Sequence, residues 1–241
     1  MPISPGEYAA IQKQFESMIS RSTKIQELAE GQLPWQNLQN IVSQNWKIVY
    51  NFPTYLEHIA NRINKFIPDN RLRRLLMPIL EKDIREEIGH RELWRYWALE
   101  SNVRLSRFGF NPQMKALHEY LLECVMKLPT PHAIGSLNVG IEGTVGVLVS
   151  LVYEGIMKIH QKNNNGKKLT NKGAAWLNVH LEHDFDKHPV QGLKFIHLLV
   201  KPADPEYEKI IGHIMRASEL FVRAFDEACT VPYKPRTIFR L

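Results

Sequence analysis

The chain has 241 residues, 44% of them hydrophobic and 23% charged, with a net charge of +6. That balance supports one packed domain over residues 1–241 and is ordinary for a soluble protein. The only cysteines, Cys124 and Cys229, form no CxxC pair, which argues against a disulfide framework or a thiolate metal site and points to a reducing compartment. The basic residues lie in short clusters, at Arg71, Arg73 and Arg74, at Lys167 and Lys168, and in the YKPRTIFR tail. No helix-turn-helix, zinc-finger or aromatic RNA-binding signature accompanies them, so no nucleic-acid partner is expected.

In chain order the apolar residues recur at helical period, and no run alternates as a strand would. The start, MPISPGEYAAIQKQ, lacks the basic and apolar regions of a secretory leader, so a cytoplasmic location is expected. A first helix is predicted over about residues 5–30, with Ser4 and Pro5 as cap and first-turn pair. A second begins after Pro34 and is bent or interrupted by Pro53. A third covers about 70–89, and HRELWRYWALES continues it or opens a fresh helix. NPQMKALHEYLLECVMKL makes the next, stopped near Pro129 and Pro131. A long apolar helix follows from about 133 to 161, then the polar break QKNNNGKKLT. A histidine-rich helix is predicted over about 171–200, bent by Pro189, and an amphipathic one over about 205–229. The fold class is therefore all-α, a single bundle of about seven to eight helices. Exposed apolar faces on the first and last helices would allow a homodimer without requiring one.

Three segments carry residues with chemistry. Glu142 is the only charge in AIGSLNVGIEGTVGVLVSLVY, residues 133–153. That stretch is long enough for a bilayer, but a mid-segment carboxylate with no second span predicts a buried core helix and no membrane partner. A buried carboxylate is costly unless paired, protonated or bound to a metal. Gly140, Gly143 and Gly146 beside it suggest close helix approach or space left open. In EEIGH, residues 86–90, Glu87 and His90 stand three apart, the Glu-x-x-His spacing of di-iron helical bundles, although Gly89 threatens to end the helix there. In VHLEHDFDKH, residues 179–188, a continuous helix would place His180, Asp184 and His188 within an arc of roughly 80°, with Glu182 and Asp186 on the opposite side.

Together these give Glu87, His90, Glu142, His180, Asp184 and His188 as candidate metal ligands. A mixed set of carboxylates and imidazoles suits iron or manganese better than structural zinc. Two metals would explain the number of ligands.

The chain resembles the haem-oxygenase-like di-iron oxidase superfamily, nearest its CADD-like proteins and related to the TenA and PqqC groups. The resemblance spans roughly residues 35–225 and is carried by FPTYLEHIANR at 52–62, EEIGHRELWRYW at 86–97, the Glu142 helix and WLNVHLEHDFDKH at 176–188. His180 and Asp184 match the family's His-x3-Asp pattern. The closing histidine comes one residue late, as His188, with Lys187 in its usual place. The run from EEIG into HRELW is also short for the family, so the partner of His90 is Glu87, Glu86 or Asp83.

The resemblance implies a haem-oxygenase-like helical bundle that binds two ferrous ions and uses dioxygen as co-substrate. The substrate class is a small organic molecule (an amino acid, an amine or a fatty acid) or an internal side chain. Tyr50, Tyr55 and Tyr153 lie on helices expected to border such a cavity, as candidates for relaying an electron or proton. His183 is a reserve donor to a ligand carboxylate. His58, His118, His132, His160, His197 and His213 are expected in surface or capping roles, and Trp94, Trp97 and Trp176 in the core. Two other readings stand beside the oxidase. One is a metal-free TenA- or PqqC-like enzyme, for which Cys124 is the mid-chain thiol available. The other is a non-catalytic ligand- or protein-binding protein. A haem oxygenase would need a proximal histidine in its first helix, and none precedes His58.

Overall fold

A computed structural model describes residues 5–106, 109–182 and 187–234. Its elements are α1 (Pro5–Ser20), α2 (Thr23–Glu30), α3 (Trp35–Phe66), α4 (Asn70–Glu100) and α5 (Pro112–Lys127). Then come α6 (Thr130–Ile134), a π-helical stretch (Gly135–Ile141), α7 (Glu142–Asn163), α8 (Ala175–Glu182), α9 (Lys187–Leu199) and α10 (Pro205–Thr230). With α6, the π stretch and α7 counted as the continuous helix Thr130–Asn163, the described residues form nine helices and no strand.

Local chemistry sets most boundaries. The predicted helix over residues 5–30 is two helices, because Ser22 caps α2. Its Oγ accepts from Ile25 N at 3.1 Å while the hydroxyl donates to Asp226 across the bundle. Gly31 closes α2 in the left-handed conformation, φ 76°, where a glycine pays no Cβ penalty. Asp69, Asn111 and Asp204 cap α4, α5 and α10 through their side-chain oxygens. Pro53 does not interrupt α3, which runs on to Phe66. Nor does Gly89 end α4: HRELW continues that helix to Glu100.

The histidine-rich segment is described as two helices, α8 and α9, and residues 183–186 between them lie outside the described residues. Pro189 is the third residue of α9 as described, Lys187–Leu199.

Helix Thr130–Asn163 is the axis of the bundle. It is the one described helix long and apolar enough to cross a membrane, yet 89% of its apolar window is buried inside the protein. The α10 helix lies along the π stretch, α2 and α1 lie along α7, and α3 pairs extensively with α4. At Gly140 a Cβ would stand 2.8 Å from the carbonyl oxygen of Ile214, so glycine is what lets α10 lie this close. At Gly143 it would meet the Phe15 ring at 2.7 Å. These two glycines serve close helix approach.

Candidate metal centre

The inner face of α4 reads Asp83, Glu87, His90, Trp94 and Trp97, spaced at helical period, and all five are buried. Glu86 sits on the flank of that face with its side chain 31% exposed. The tryptophans fix the frame. Trp94 packs edge-on against Trp97 and Trp176 with centroids 4.8 and 4.5 Å apart, and Trp97 stacks on Trp176 at 6.1 Å. Aromatic pairs of this kind each contribute about 0.5–1.5 kcal/mol beyond their area. The cluster ties α8 to α4, and Trp94 Nε1 anchors it to α3 by donating to the Val42 carbonyl at 3.0 Å.

Glu142 opens α7 directly after the π stretch. The Gly140 carbonyl there accepts from Thr144 Oγ1 at 2.6 Å and lies 3.1 Å from Ser218 Oγ on α10. Side-chain hydroxyls thus satisfy a backbone carbonyl where the α-helical ladder is interrupted. Glu142 is only 4% exposed. Burial raises its carboxyl above the usual range, and the neighbouring Glu87 charge adds to that, against His188 and His90.

The imidazoles arrive from three helices. His180, on α8, donates Nδ1–H to the Trp176 carbonyl at 2.8 Å. A carbonyl only accepts, so the lone pair belongs to Nε2. Burial keeps this ring neutral, as a ligand must be, and nearby His90 reinforces it. His90 and His180 have ring centroids 5.0 Å apart. His90 Nδ1 lies 3.1 Å from Glu87 Oε1, at ion-pair distance without the alignment of a hydrogen bond.

His188, on α9, stands between two sets of carboxylates. Its Nε2 is 3.3 Å from Glu86 Oε2 and 4.0 Å from Asp83 Oδ1, and its Nδ1 is 3.8 Å from Glu142 Oε2. Asp83 is pushed up to about 6 by burial, against the pull of His188. Burial also acts on Glu86, but hydrogen bonds from Lys82 and His188, with Lys187 nearby, hold it at about 2.

Two groups of described side chains can therefore hold a metal ion: Asp83, Glu86 and His188, and Glu87, Glu142 and His188. In each, the ligand atoms lie within 4.8 Å of one another. A test of fit is independent of spacing. Glu87 Oε1 and Glu142 Oε2 are buried and accept no hydrogen bond, which is costly unless the carboxyl is protonated or a cation supplies the missing positive charge. Oxygen and imidazole donors without thiolate fit iron or manganese.

A cavity of about 50 Å³ adjoins Glu87, Glu142 and His180 and is otherwise walled mainly by apolar side chains, among them Phe52, Trp94, Val145 and Phe225. Of the residues singled out from sequence, Glu87, His90, Glu142, His180 and His188 come together here. Asp184 and the reserve His183 lie outside the described residues. None of Tyr50, Tyr55 and Tyr153 lines the cavity. Tyr55 hydrogen-bonds His118 and Tyr153 donates to Asn178 Oδ1 at 2.9 Å. Asp83 and Glu86, read in the sequence only as alternative partners of His90, instead face His188. The available signal was an aspartate at position 83 on the apolar face that also carries Leu76 and Leu80.

No family model matches the sequence, and no curated protein matches it. Solved structures do. A TenA homologue from Pseudomonas syringae pv. tomato is 19% identical, with 93% of each chain covered and a TM-score of 0.74. A domain of unknown function with a haem-oxygenase-like fold from Shewanella denitrificans is 14% identical over 94% of this chain and 92% of that one, TM-score 0.71. A CADD-like protein of unknown function from Nostoc punctiforme is 14% identical over 93% and 97%, TM-score 0.67. At these identities the likeness is one of fold: the chain has the all-helical, haem-oxygenase-like fold that TenA and CADD-like proteins share.

Proposed function

We propose that the protein is a non-haem di-iron oxidase or oxygenase that uses dioxygen on a small organic substrate or an internal side chain. The observation that carries this reading is the surplus of buried carboxylate over hydrogen-bond donors at Glu87 and Glu142, facing imidazoles from α4, α8 and α9. Glu87, His90, Glu142, His180 and His188 would hold two ferrous ions, with Asp184 completing the set by its place in the sequence. Bound iron supplies the redox chemistry with dioxygen.

The chain's own residues supply the rest. The Trp176 carbonyl orients His180, and the tryptophan cluster fixes α8 against α4. The cavity beside Glu142 is walled mainly by apolar side chains and has room for a molecule the size of dioxygen. Two buried, unbridged cysteines support a reducing, cytoplasmic setting. The metal-free reading gains nothing from Cys124: burial raises its thiol, the reverse of what a nucleophile needs.

The test is iron bound per chain after anaerobic ferrous reconstitution, in the parent and in His180→Ala. Close to two irons in the parent and a clear loss in the variant are expected. No iron in either would overturn the reading. Dioxygen uptake by the loaded parent, with candidate amines, amino acids and fatty acids, would then identify the substrate.

A further inference from the structure

We propose that Asp83, Glu86 and His188 form an outer docking site, where a divalent cation is first held before it passes His188 to the buried carboxylates Glu87 and Glu142. The proposal rests on the metal-centre reading above for its destination and adds a route and a capture step.

The two sides of the centre differ in what can reach them. The inner cavity is narrow and mostly apolar, a poor path for a hydrated cation, which would have to shed its water against hydrocarbon. On the other side a groove of about 250 Å³ is lined by Glu86, Gly89, His90, Leu93, Val179, Lys187 and His188. Gly89 lies in this groove, and a Cβ built on it meets no atom of the described residues within 4 Å. Its bareness leaves the passage open, in the interior of a helix that would otherwise favour a side chain there.

Glu86 spans the mouth. Its Oε1 faces outward to Lys82 and Lys187 at 3.0 and 3.5 Å, and its Oε2 faces His188 Nε2 at 3.3 Å. Asp83 Oδ1 lies 4.0 Å from the same nitrogen, itself buried. Across the ring, His188 Nδ1 is 3.8 Å from Glu142 Oε2, a buried oxygen that accepts no hydrogen bond. A neutral imidazole offers one lone pair at a time. His188 therefore serves the outer pair through Nε2 or the inner pair through Nδ1, never both at once. The ring stands between the groove-side carboxylates and the buried pair. The two lysines compete with an incoming cation for Glu86.

The test is the rate of Co²⁺ or anaerobic Fe²⁺ uptake by metal-free protein, read by quenching of tryptophan fluorescence. The signal is local, since the Trp176 ring centroid lies 3.9 Å from that of His180. Final stoichiometry is measured alongside. Glu86→Gln should slow uptake about tenfold at low ionic strength, the scale of electrostatic steering into a cleft, and leave the final stoichiometry unchanged. Gly89→Leu should also slow it, with thermal unfolding confirming an intact fold. Lys187→Gln should speed it, a change of sign that mere loss of packing would not produce. Loss of bound metal in Glu86→Gln would overturn the proposal by making Glu86 a resident ligand. So would rates in Gly89→Leu and Lys187→Gln that match a parent that loads normally. A parent that takes up neither cation overturns the metal-centre reading itself.

Discussion

The two ends of α7 carry opposite solutions to burying a polar group. At the far end His160 is fully buried and both ring nitrogens are satisfied: Nε2 bonds Ser101 Oγ and Nδ1 bonds Asn164 Nδ2, each at 2.9 Å. Trp35 closes over it edge-on at 4.8 Å. At the near end, eighteen residues and about 27 Å away along an ideal helix, Glu142 has carboxylate neighbours and an oxygen with no donor. A satisfied buried group stabilises the fold, whereas a buried group left short of partners costs stability and is kept for what it binds. Histidine content alone says nothing, since both ends contain it; the donor–acceptor balance separates them.

That contrast can be broken most directly at Glu142. Glu142→Leu should abolish iron binding while raising the stability of the metal-free protein by about 1–3 kcal/mol, because it removes an uncompensated buried carboxylate. Iron per chain and urea unfolding of the apo form measure both halves. If the variant instead loses stability, Glu142 is a structural group like His160. Next in size is the effect of the metal. Ferrous iron at about a hundredfold over its Kd should stabilise the parent by about 2.7 kcal/mol, seen as a rise in Tm that EDTA reverses and Glu142→Leu never shows. At the other end, His160→Ala should cost about 2 kcal/mol, by orphaning Ser101 and Asn164 and opening a gap beneath Trp35. It should leave iron stoichiometry untouched.

The smallest effect is one of pH. Burial lowers His160 to about 4 from an ordinary 6.5, with Glu100 opposing the shift. Between those values the unfolded chain binds a proton that the folded chain does not. Stability from this group is therefore intact above about pH 6.5 and falls as the pH drops toward 4. Urea midpoints at pH 7.5 and pH 5 should differ less in His160→Gln than in the parent.

Much of this was legible in the sequence, for reasons that differ by residue. Glu142 stood out because one charge in an apolar helix has to be explained. Glu87 and His90 shared a face by spacing alone. His180 and His188 were paired on the premise of one continuous helix. They are described on α8 and α9, and residues 183–186, where that premise would be tested, lie outside the described residues. The arrangement of His188 between Glu86 and Glu142 was not legible, because tertiary packing of α9 against α4 and α7 creates it. The division of residues 5–30 also depends partly on distance: Ser22 is a local cap, but its bond to Asp226 spans the chain. The tyrosines had only their helices to recommend them; Tyr55 bonds His118, Tyr153 bonds Asn178, and the Arg91 guanidinium lies over the Tyr50 ring.

The π-helical stretch bears on how the centre can be inherited. Each i→i+5 bond encloses one residue more than the α-helical bond does. Removing a single residue from Gly135–Ile141 would let the stretch rewind as ordinary helix with its two flanks nearly in their present phase, because the wider turn is what absorbs the extra residue. The change would fall inside the stretch, where the Gly140 carbonyl that Thr144 and Ser218 now bond would return to the helical ladder. Substitutions in this stretch each alter one contact, so the segment can drift in composition among descendants of this gene. A deletion of one codon would instead erase the wide turn while keeping the helix on either side of it close to register.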